Sequence, residues 1–352
     1  NLLPINFLRQ LISYYGDSMQ AFVPTYLEHS IKMLTENQAK FRDQFASAFG
    51  KDAFGMMEEM GQKNMEMFRE AFAMFKPYAG LRKVTIFGSA RTKAHDPVYE
   101  QTVSLARSLA TNGWMVVTGA GPGIMEAGMV GAGREMSIGV SIRLPFETGA
   151  NPIIADDEKY VSMRYFFTRK LMLVKESHAF VALPGGFGTL DETFELLTLL
   201  QTGKSVPVPV VLMNPLGTPY WEHLDGFFRD VLLPTGMVSR DDFSLYMLAN
   251  HESHAVNEIE GFYVNYDSMR FVGPNLYIRH RRPLSTNDIE ILNQEFSDIV
   301  SEPMVRSDPS RQEQAEGDRL TPERLRLRFD KRSYGRLREL INRLNRLGAA
   351  SQ

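Results

Sequence analysis

The sequence predicts an α/β protein: a doubly wound parallel sheet of Rossmann-like type, preceded by an α-helical N-terminal arm and followed by a basic helical tail. Three observations predict it. Between residues 80 and 235, short β-branched runs alternate with longer amphipathic stretches, the pattern of strand–helix–strand units. Glycine clusters follow three of those runs, at Gly88-Ser89, Gly119 to Gly123 and Gly185 to Gly188. In such sheets ligands bind beyond the carboxyl ends of the strands. Outside this region the composition shifts, toward Met and Phe at the start of the chain and toward arginine at its end.

The arm comes first. Residues 1–75 hold nine of the 23 Phe and eight of the 19 Met, and no proline stands between Pro24 and Pro77. Leu27, Ile31, Leu34, Phe41 and Phe45 recur at helical spacing, as do Met57, Met60, Met67, Phe68, Ala71, Phe72 and Phe75. Gly50, Gly55 and Gly61 mark a break between the two stretches. The arm is expected over residues 1–78. Its adaptable Met/Phe stripe either packs on the rest of the chain or a dimer mate, or docks another protein or an apolar particle.

The α/β region is expected over residues 79–300. Strands are predicted at 84–87, 115–118, 138–142, 180–183 and 209–213. Helices are predicted at 98–111, from 124, at 164–175, at 190–201 and at 220–231. Further strands are expected at 262–266 and 276–279, with a helix from 287. Residues 301–352 read as a polar linker and a basic amphipathic tail. Between Arg319 and Arg346 there are ten Lys or Arg against three acids, interleaved with Leu325, Leu327, Leu337, Leu340, Ile341, Leu344 and Leu347. A helix is predicted at least from Arg336 onward. It is either a solvated surface helix or a contact for phosphate backbones or an acidic partner.

Composition narrows the function classes. The 352 residues are 43% apolar and 23% charged with a net charge of −3, so nucleic-acid binding is expected only through the basic tail. There is no cysteine, which excludes disulfides, thiolate nucleophiles, iron–sulfur clusters and Cys-based zinc sites, and fits a cytoplasmic setting. No run reaches the roughly 20 apolar residues of a membrane span.

The glycine loops discriminate further. The dinucleotide fingerprint fails, because Ile124 stands where its third glycine is needed and no acid lies at ribose-gripping distance. The triphosphate-binding loop fails as well, since Thr198 stands where Gly203-Lys204-Ser205 would need a glycine. The stretch from Leu183 to Glu192 remains. Three glycines after a buried strand let backbone N–H groups approach an anion, with Thr189 as a further donor and a helix start aimed at the same spot. Glu192, about one turn into that helix, is placed to reach a sugar attached to the phosphate. On the preceding helix Arg169 and Lys170 sit among Phe166, Phe167, Leu171 and Met172. Such a pair either snorkels to solvent or turns into a site. The seven His show no metal-binding spacing.

Residues 81–235, and more loosely to about 300, resemble the Lonely Guy phosphoribohydrolases, long labelled lysine decarboxylases. The resemblance rests on Arg169-Lys170 and on Pro184-Gly185-Gly186-Phe187-Gly188-Thr189-Leu190-Asp191-Glu192. The stretches from Phe87 to Arg91 and from Gly119 to Glu126 match the family's other nucleotide-contacting loops. Arg164-Tyr165-Phe166-Phe167 is similar to its longer bacterial subgroup, and Thr168 stands where short plant-type members carry Glu.

The resemblance implies hydrolysis of the N-glycosidic bond of a nucleoside 5′-monophosphate, of AMP or cytokinin riboside monophosphate type, to free base and ribose 5-phosphate. It implies Arg169 and Glu192 as catalytic residues. It implies Gly88, Ser89, Gly119, Gly121, Gly123, Glu126, Lys170, Gly185, Gly186, Gly188 and Thr189 as substrate- and phosphate-binding residues. Neither a cofactor nor a metal is implied, and a homodimer or higher homo-oligomer is expected. The competing expectation is a non-catalytic nucleotide or cofactor carrier, or a regulatory protein, on the same fold. Separately, residues 1–50, and more weakly to 75, resemble the C-terminal part of polyhydroxyalkanoate synthesis repressors, which implies a protein or granule partner for residues 1–75.

Overall fold

The computed structural model describes residues 70–143, 149–215 and 217–349. The chain divides into two units, Asn1–Ala73 and Met74–Gln352. The expected helical arm lies almost wholly outside the described residues.

At the centre of the second unit is a seven-stranded sheet in the order β4-β3-β2-β1-β5-β6-β7, parallel throughout. The strands are β1 (Lys83–Phe87), β2 (Met115–Thr118), β3 (Ser137–Ile142), β4 (Tyr160–Met163), β5 (Ala179–Ala182), β6 (Val210–Met213) and β7 (Met247–Ala249). Every residue of β1, β2, β5 and β6 is buried. Helices cover both faces of a parallel sheet, so its inner strands read as unbroken apolar runs. The crossover helices are α1 (Pro97–Thr111), α2 (Ile124–Ala132), α3 (Phe166–Lys175), α4 (Phe187–Gln201) and α5 (Tyr220–Phe227), and α6 (Glu252–Gly261) follows the last strand. The predicted α/β fold is therefore present, with five strands within about two residues of their expected places.

Two edge strands and one expected strand depart from expectation. β4 and β7 are short and carry little β-branched character, so sequence pattern did not mark them. Residues 262–266, expected as a strand, instead follow α6. Phe262 caps that helix and packs edge-on against Tyr263 and Tyr266 at centroid separations of 4.8 and 5.1 Å. Aromatic residues favour strands, but here burial in a ring cluster decided the local conformation.

A second sheet, antiparallel in the order β10-β11-β9-β8, contains β8 (Tyr266–Val272), β9 (Asn275–His280), β10 (Val305–Ser307) and β11 (Glu323–Leu327). With it come α7 (Thr286–Glu295), α8 (Arg311–Glu316) and α9 (Tyr334–Ala349). The stretch after Ser301 is thus not a linker, because it supplies two strands and two helices. Nor does α9 stand free in solvent. Leu337, Leu340, Ile341 and Leu344 are fully buried in a core that continues into Val84, Val181 and Val211 of the main sheet.

The basic residues of this region are held by acids distant in the chain. Arg338 is buried, donates to the Val208 carbonyl at 3.0 Å, pairs with Glu258 and stacks on Phe262. Arg336 pairs with Asp298, and Arg343 with Glu295. Glu313 is fully buried and accepts from Arg279 at 2.6 Å and from Arg324 at 3.2 Å. Burial pushes its carboxyl up, but hydrogen bonds from Ser310, Arg279 and Arg324 outweigh that and hold it below the usual range. An amphipathic basic stripe looks the same on a surface helix and on one that closes a core, which is why the pattern alone did not separate them.

Two substitutions test this architecture. Leu340→Ala should cost about 2–5 kcal/mol in urea unfolding, as for a core leucine and unlike a surface helix. Arg279→Ala, which strips a partner from a buried carboxylate, should cost about 3–5 kcal/mol.

Candidate functional site

The order of the main sheet reverses at β1: strands β2 to β4 lie on one side and β5 to β7 on the other. A crevice must open there, because the connections leaving neighbouring strands go to opposite faces. A cleft of about 760 Å³ occupies this point, lined from the loops after β1, β2 and β5 and from α3 and α4.

Backbone contacts lock the loops together. Phe87 accepts from Leu183 N–H at 2.8 Å, and the Ser89 N–H donates to the Pro184 carbonyl at 3.1 Å. The Ser89 carbonyl in turn accepts from Ile124 N–H at 3.0 Å. Gly123 makes that approach possible: its φ is +69°, and any Cβ there would run into the Ser89 carbonyl and the Ala90 backbone. Gly185 has the same role beneath the second loop, where a Cβ would overlap the Thr189 side chain. Its carbonyl accepts from the Tyr220 hydroxyl at 2.7 Å. α4 starts at Phe187, earlier than its sequence suggests, and no side chain caps it. The Thr189 and Leu190 N–H groups turn back to the Gly186 carbonyl at 3.0 and 3.1 Å, so it is the N–H groups of Phe187 and Gly188, at the very start of the helix, that face an anion at the cleft.

The decisive side chains come from α3 and α4. Arg169 Nη1 lies 3.6 Å from Glu192 Oε1, and Arg169 Nε donates to the Val140 carbonyl at 3.3 Å. Gly119 gives the guanidinium room, since a Cβ there would stand 2.5 Å from Nη2. Glu192 is only 7% exposed, and its Oε2 has no hydrogen-bond partner. Burial raises its carboxyl above the usual range; Arg169 and Lys170 pull it down, while Glu195 and Asp191 push it up. The site therefore holds a poorly solvated carboxylate with one oxygen unused, beside a guanidinium and a glycine-rich anion cradle. That set can grip a phosphate and stabilise a cationic sugar.

Of the residues singled out from sequence, Gly88, Ser89, Gly119, Gly121, Arg169, Gly185, Gly186, Gly188, Thr189 and Glu192 line the cleft together. Gly123, Glu126 and Lys170 do not. Gly123 supports the Ser89 loop from behind, and Glu126 is half-buried on α2. Lys170 reaches away to Asp191 at 2.8 Å and Glu195 at 2.7 Å, bracing α3 against α4. Neighbouring helical residues point about 100° apart, and here Arg169 faces the cleft while Lys170 is turned to the carboxylates of α4. Sequence reasoning missed Arg91, Phe166 and Phe187 as lining residues. All three sit inside the motif stretches, which was the available signal. Among the described residues, no cluster of three His, Asp or Glu side chains converges on a cation position.

Comparison with known proteins shows the family. Residues 121–259 match the family model described as "Possible lysine decarboxylase". The cytokinin riboside 5′-monophosphate phosphoribohydrolase of Mycobacterium tuberculosis is 30% identical over 154 residues, covering 43% of this chain and 79% of that protein. The chain belongs to the Lonely Guy family. A further Lonely Guy member, the cytokinin riboside 5′-monophosphate phosphoribohydrolase of Oryza sativa subsp. japonica, is 27% identical over 199 residues, which is 53% of this chain and 76% of that one. Among solved structures, the molybdenum cofactor binding protein of Rippkaea orientalis is 18% identical with a TM-score of 0.37, covering 51% of this chain and 96% of its own. Residues 3–42, outside the Lonely Guy region, match the model described as "PHB accumulation regulatory domain". Among the described residues no helix is long and apolar enough to cross a membrane.

The buried carboxylate of this Lonely Guy chain yields a stability prediction with a definite sign. A carboxyl raised in the folded state holds a proton that the unfolded chain has lost, so stability falls as pH climbs through the window between the two values. Glu192→Gln removes that loss. Its melting temperature at neutral pH should equal or exceed that of the parent, measured by scanning calorimetry, although a site residue has been replaced.

Proposed function

We propose that the cleft hydrolyses the N-glycosidic bond of a nucleoside 5′-monophosphate, of AMP or cytokinin riboside monophosphate type, releasing the free base and ribose 5-phosphate. The observation that carries this reading is the Arg169–Glu192 pair, held at 3.6 Å at the mouth of the Gly185–Thr189 loop with one Glu192 oxygen unpartnered. A binding protein needs the cradle but has no use for a carboxylate kept partly desolvated beside the sugar position. The printed names of the similar proteins from M. tuberculosis and O. sativa agree with it.

In this mechanism the phosphate rests on the backbone N–H groups of Gly186, Phe187 and Gly188, with the Thr189 hydroxyl and Arg91 as further donors. The bond from C1′ to the base nitrogen breaks, and its electron pair leaves with the base. Positive charge then spreads over C1′ and the ring oxygen. Glu192 faces that charge and orients a water, whose oxygen bonds to C1′; one of its protons passes to the departing base nitrogen and the other stays on the new C1′ hydroxyl. Arg169 keeps the Glu192 carboxylate ionised and fixed, and holds the sugar phosphate.

The test is incubation with AMP, GMP, CMP, UMP and isopentenyladenosine monophosphate, with free base followed by chromatography. Glu192→Ala and Arg169→Ala should each lower kcat/KM by about a hundredfold or more. AMP binding to Glu192→Ala should persist in calorimetry. No base released from any of the five nucleotides would overturn the hydrolytic reading in favour of a carrier. The acid limb of the kcat/KM profile should lie above the ordinary carboxylate range, because burial raises Glu192. Arg169→Gln should move it higher still, since a cation that favours the ionised form is gone.

A further inference from the structure

The cleft contains two apolar side chains that the fold does not use. Phe187 is 91% exposed, the most exposed large apolar side chain among the described residues, and Phe166 is 55% exposed. Both line the cleft. Neither ring stacks on another aromatic group among the described residues, whereas Phe87 and Phe180, just beneath, are buried and stacked at 6.1 Å. An unburied phenyl group gives up the burial free energy that normally keeps phenylalanine in a core. Here two of them stand in the same concave site.

Their positions along the helices fix what they face. Phe187 is the first residue of α4, directly after Gly186 of the anion cradle and five residues before Glu192. Phe166 is the first residue of α3 and shares a helical face with Arg169, three residues on. Phe187 thus borders the phosphate cradle, and Phe166 borders Arg169 on the neighbouring wall of the same cleft. The polar side chains lining the cleft are Ser89, Arg91, Arg169, Thr189, Asp191 and Glu192. The hydroxyls and Arg91 suit the phosphate, the Arg169–Glu192 pair suits the sugar, and Asp191 is engaged by Lys170. Among the described lining residues there is no Asn, Gln, His or Tyr side chain to read the hydrogen-bonding edge of a base.

We infer that Phe187 and Phe166 form the wall on which the nucleobase lies, so that the cleft selects its substrate by the area of the base's π-face and not by its edge pattern. The inference rests on the nucleotide-hydrolase reading above and assigns its specificity. Stacking on aromatic rings tolerates every base, since each has a π-face, and it strengthens with ring area. Purine monophosphates are then preferred to pyrimidine ones, adenine and guanine are barely distinguished, and an apolar group on the exocyclic nitrogen is accepted.

The experiment compares the full chain with Phe187→Ala, Phe166→Ala and Phe187→Trp. Both rings are exposed, so folding should be unaffected, and circular dichroism checks it. Each alanine variant should lose about ten- to a hundredfold in kcat/KM for AMP and GMP. The purine-over-pyrimidine preference should shrink, and Phe187→Trp should retain activity. Competitive inhibition by ribose 5-phosphate, which has no base, should not change in any variant. AMP turnover that survives both alanine substitutions would overturn the inference. So would a matching loss of ribose 5-phosphate inhibition, or AMP-over-GMP discrimination of tenfold or more in the parent. If the parent cleaves no nucleotide, the hydrolytic reading fails by itself. Calorimetry of AMP against ribose 5-phosphate then decides the wall: AMP binding should weaken in Phe187→Ala while ribose 5-phosphate binding stays the same, and equal effects on both would refute it.

Discussion

The parallel pairing of β1 with β5 at the reversal of strand order is the constraint on which the rest of the structure depends. It brings the loop after Phe87 against the loop after Ala182 and joins them through the Leu183–Phe87 and Ser89–Pro184 backbone hydrogen bonds. Two loops nearly a hundred residues apart in sequence become one surface of N–H groups. The glycines are a consequence of this closeness. At Gly123 a methyl group would strike the neighbouring loop, and at Gly185 it would strike Thr189 of its own loop, so the cradle exists only while those positions carry no side chain.

The same geometry sets the electrostatics. α4 begins at the cradle and carries Glu192 inward, while α3 brings Arg169 from the opposite wall. The carboxylate is buried enough to be raised by desolvation, yet its neighbouring guanidinium keeps ionisation within reach. A group arranged for stability would have both oxygens satisfied, as Glu313 does in the second sheet. There Arg279 and Arg324 share one oxygen and the Ser310 N–H takes the other. One buried acid is fully partnered and held down; the other is half-partnered and pushed up. Buried polar groups left incomplete are costly, and they concentrate where chemistry needs them.

The second sheet and α9 explain how a chain with so many arginines keeps a continuous core. The stripe of Leu337, Leu340, Ile341 and Leu344 closes the apolar interior, while the arginines between them reach acids contributed by α6, α7 and the segment near Asp298. Charges that looked like an unneutralised run along the sequence are paired in space. Much of the excess of cations over acids was a property of a window of sequence: elements up to 80 residues away supply carboxylate partners for Arg319, Arg324, Arg328, Arg336, Arg338 and Arg343.

What the sequence determined by itself was local. Strand runs, the glycine loops and the Arg169 and Glu192 positions were legible because each depends on a residue's own type and on spacing within one element. The tertiary structure decided everything that depends on direction or on distant partners. Lys170 follows Arg169 in sequence, yet the helical turn sends it to Asp191 and Glu195 instead of the cleft. Phe166 and Phe187 read as ordinary apolar residues, and only their exposure within a concave site shows that no core claims them. The strands β10 and β11 come from a stretch whose polarity suggested a linker, because the antiparallel pairing of β11 with β9 and of β10 with β11, and a buried ion cluster, hold them in place. A side chain's type is written in the chain, but what surrounds it is fixed only when elements far apart in sequence meet.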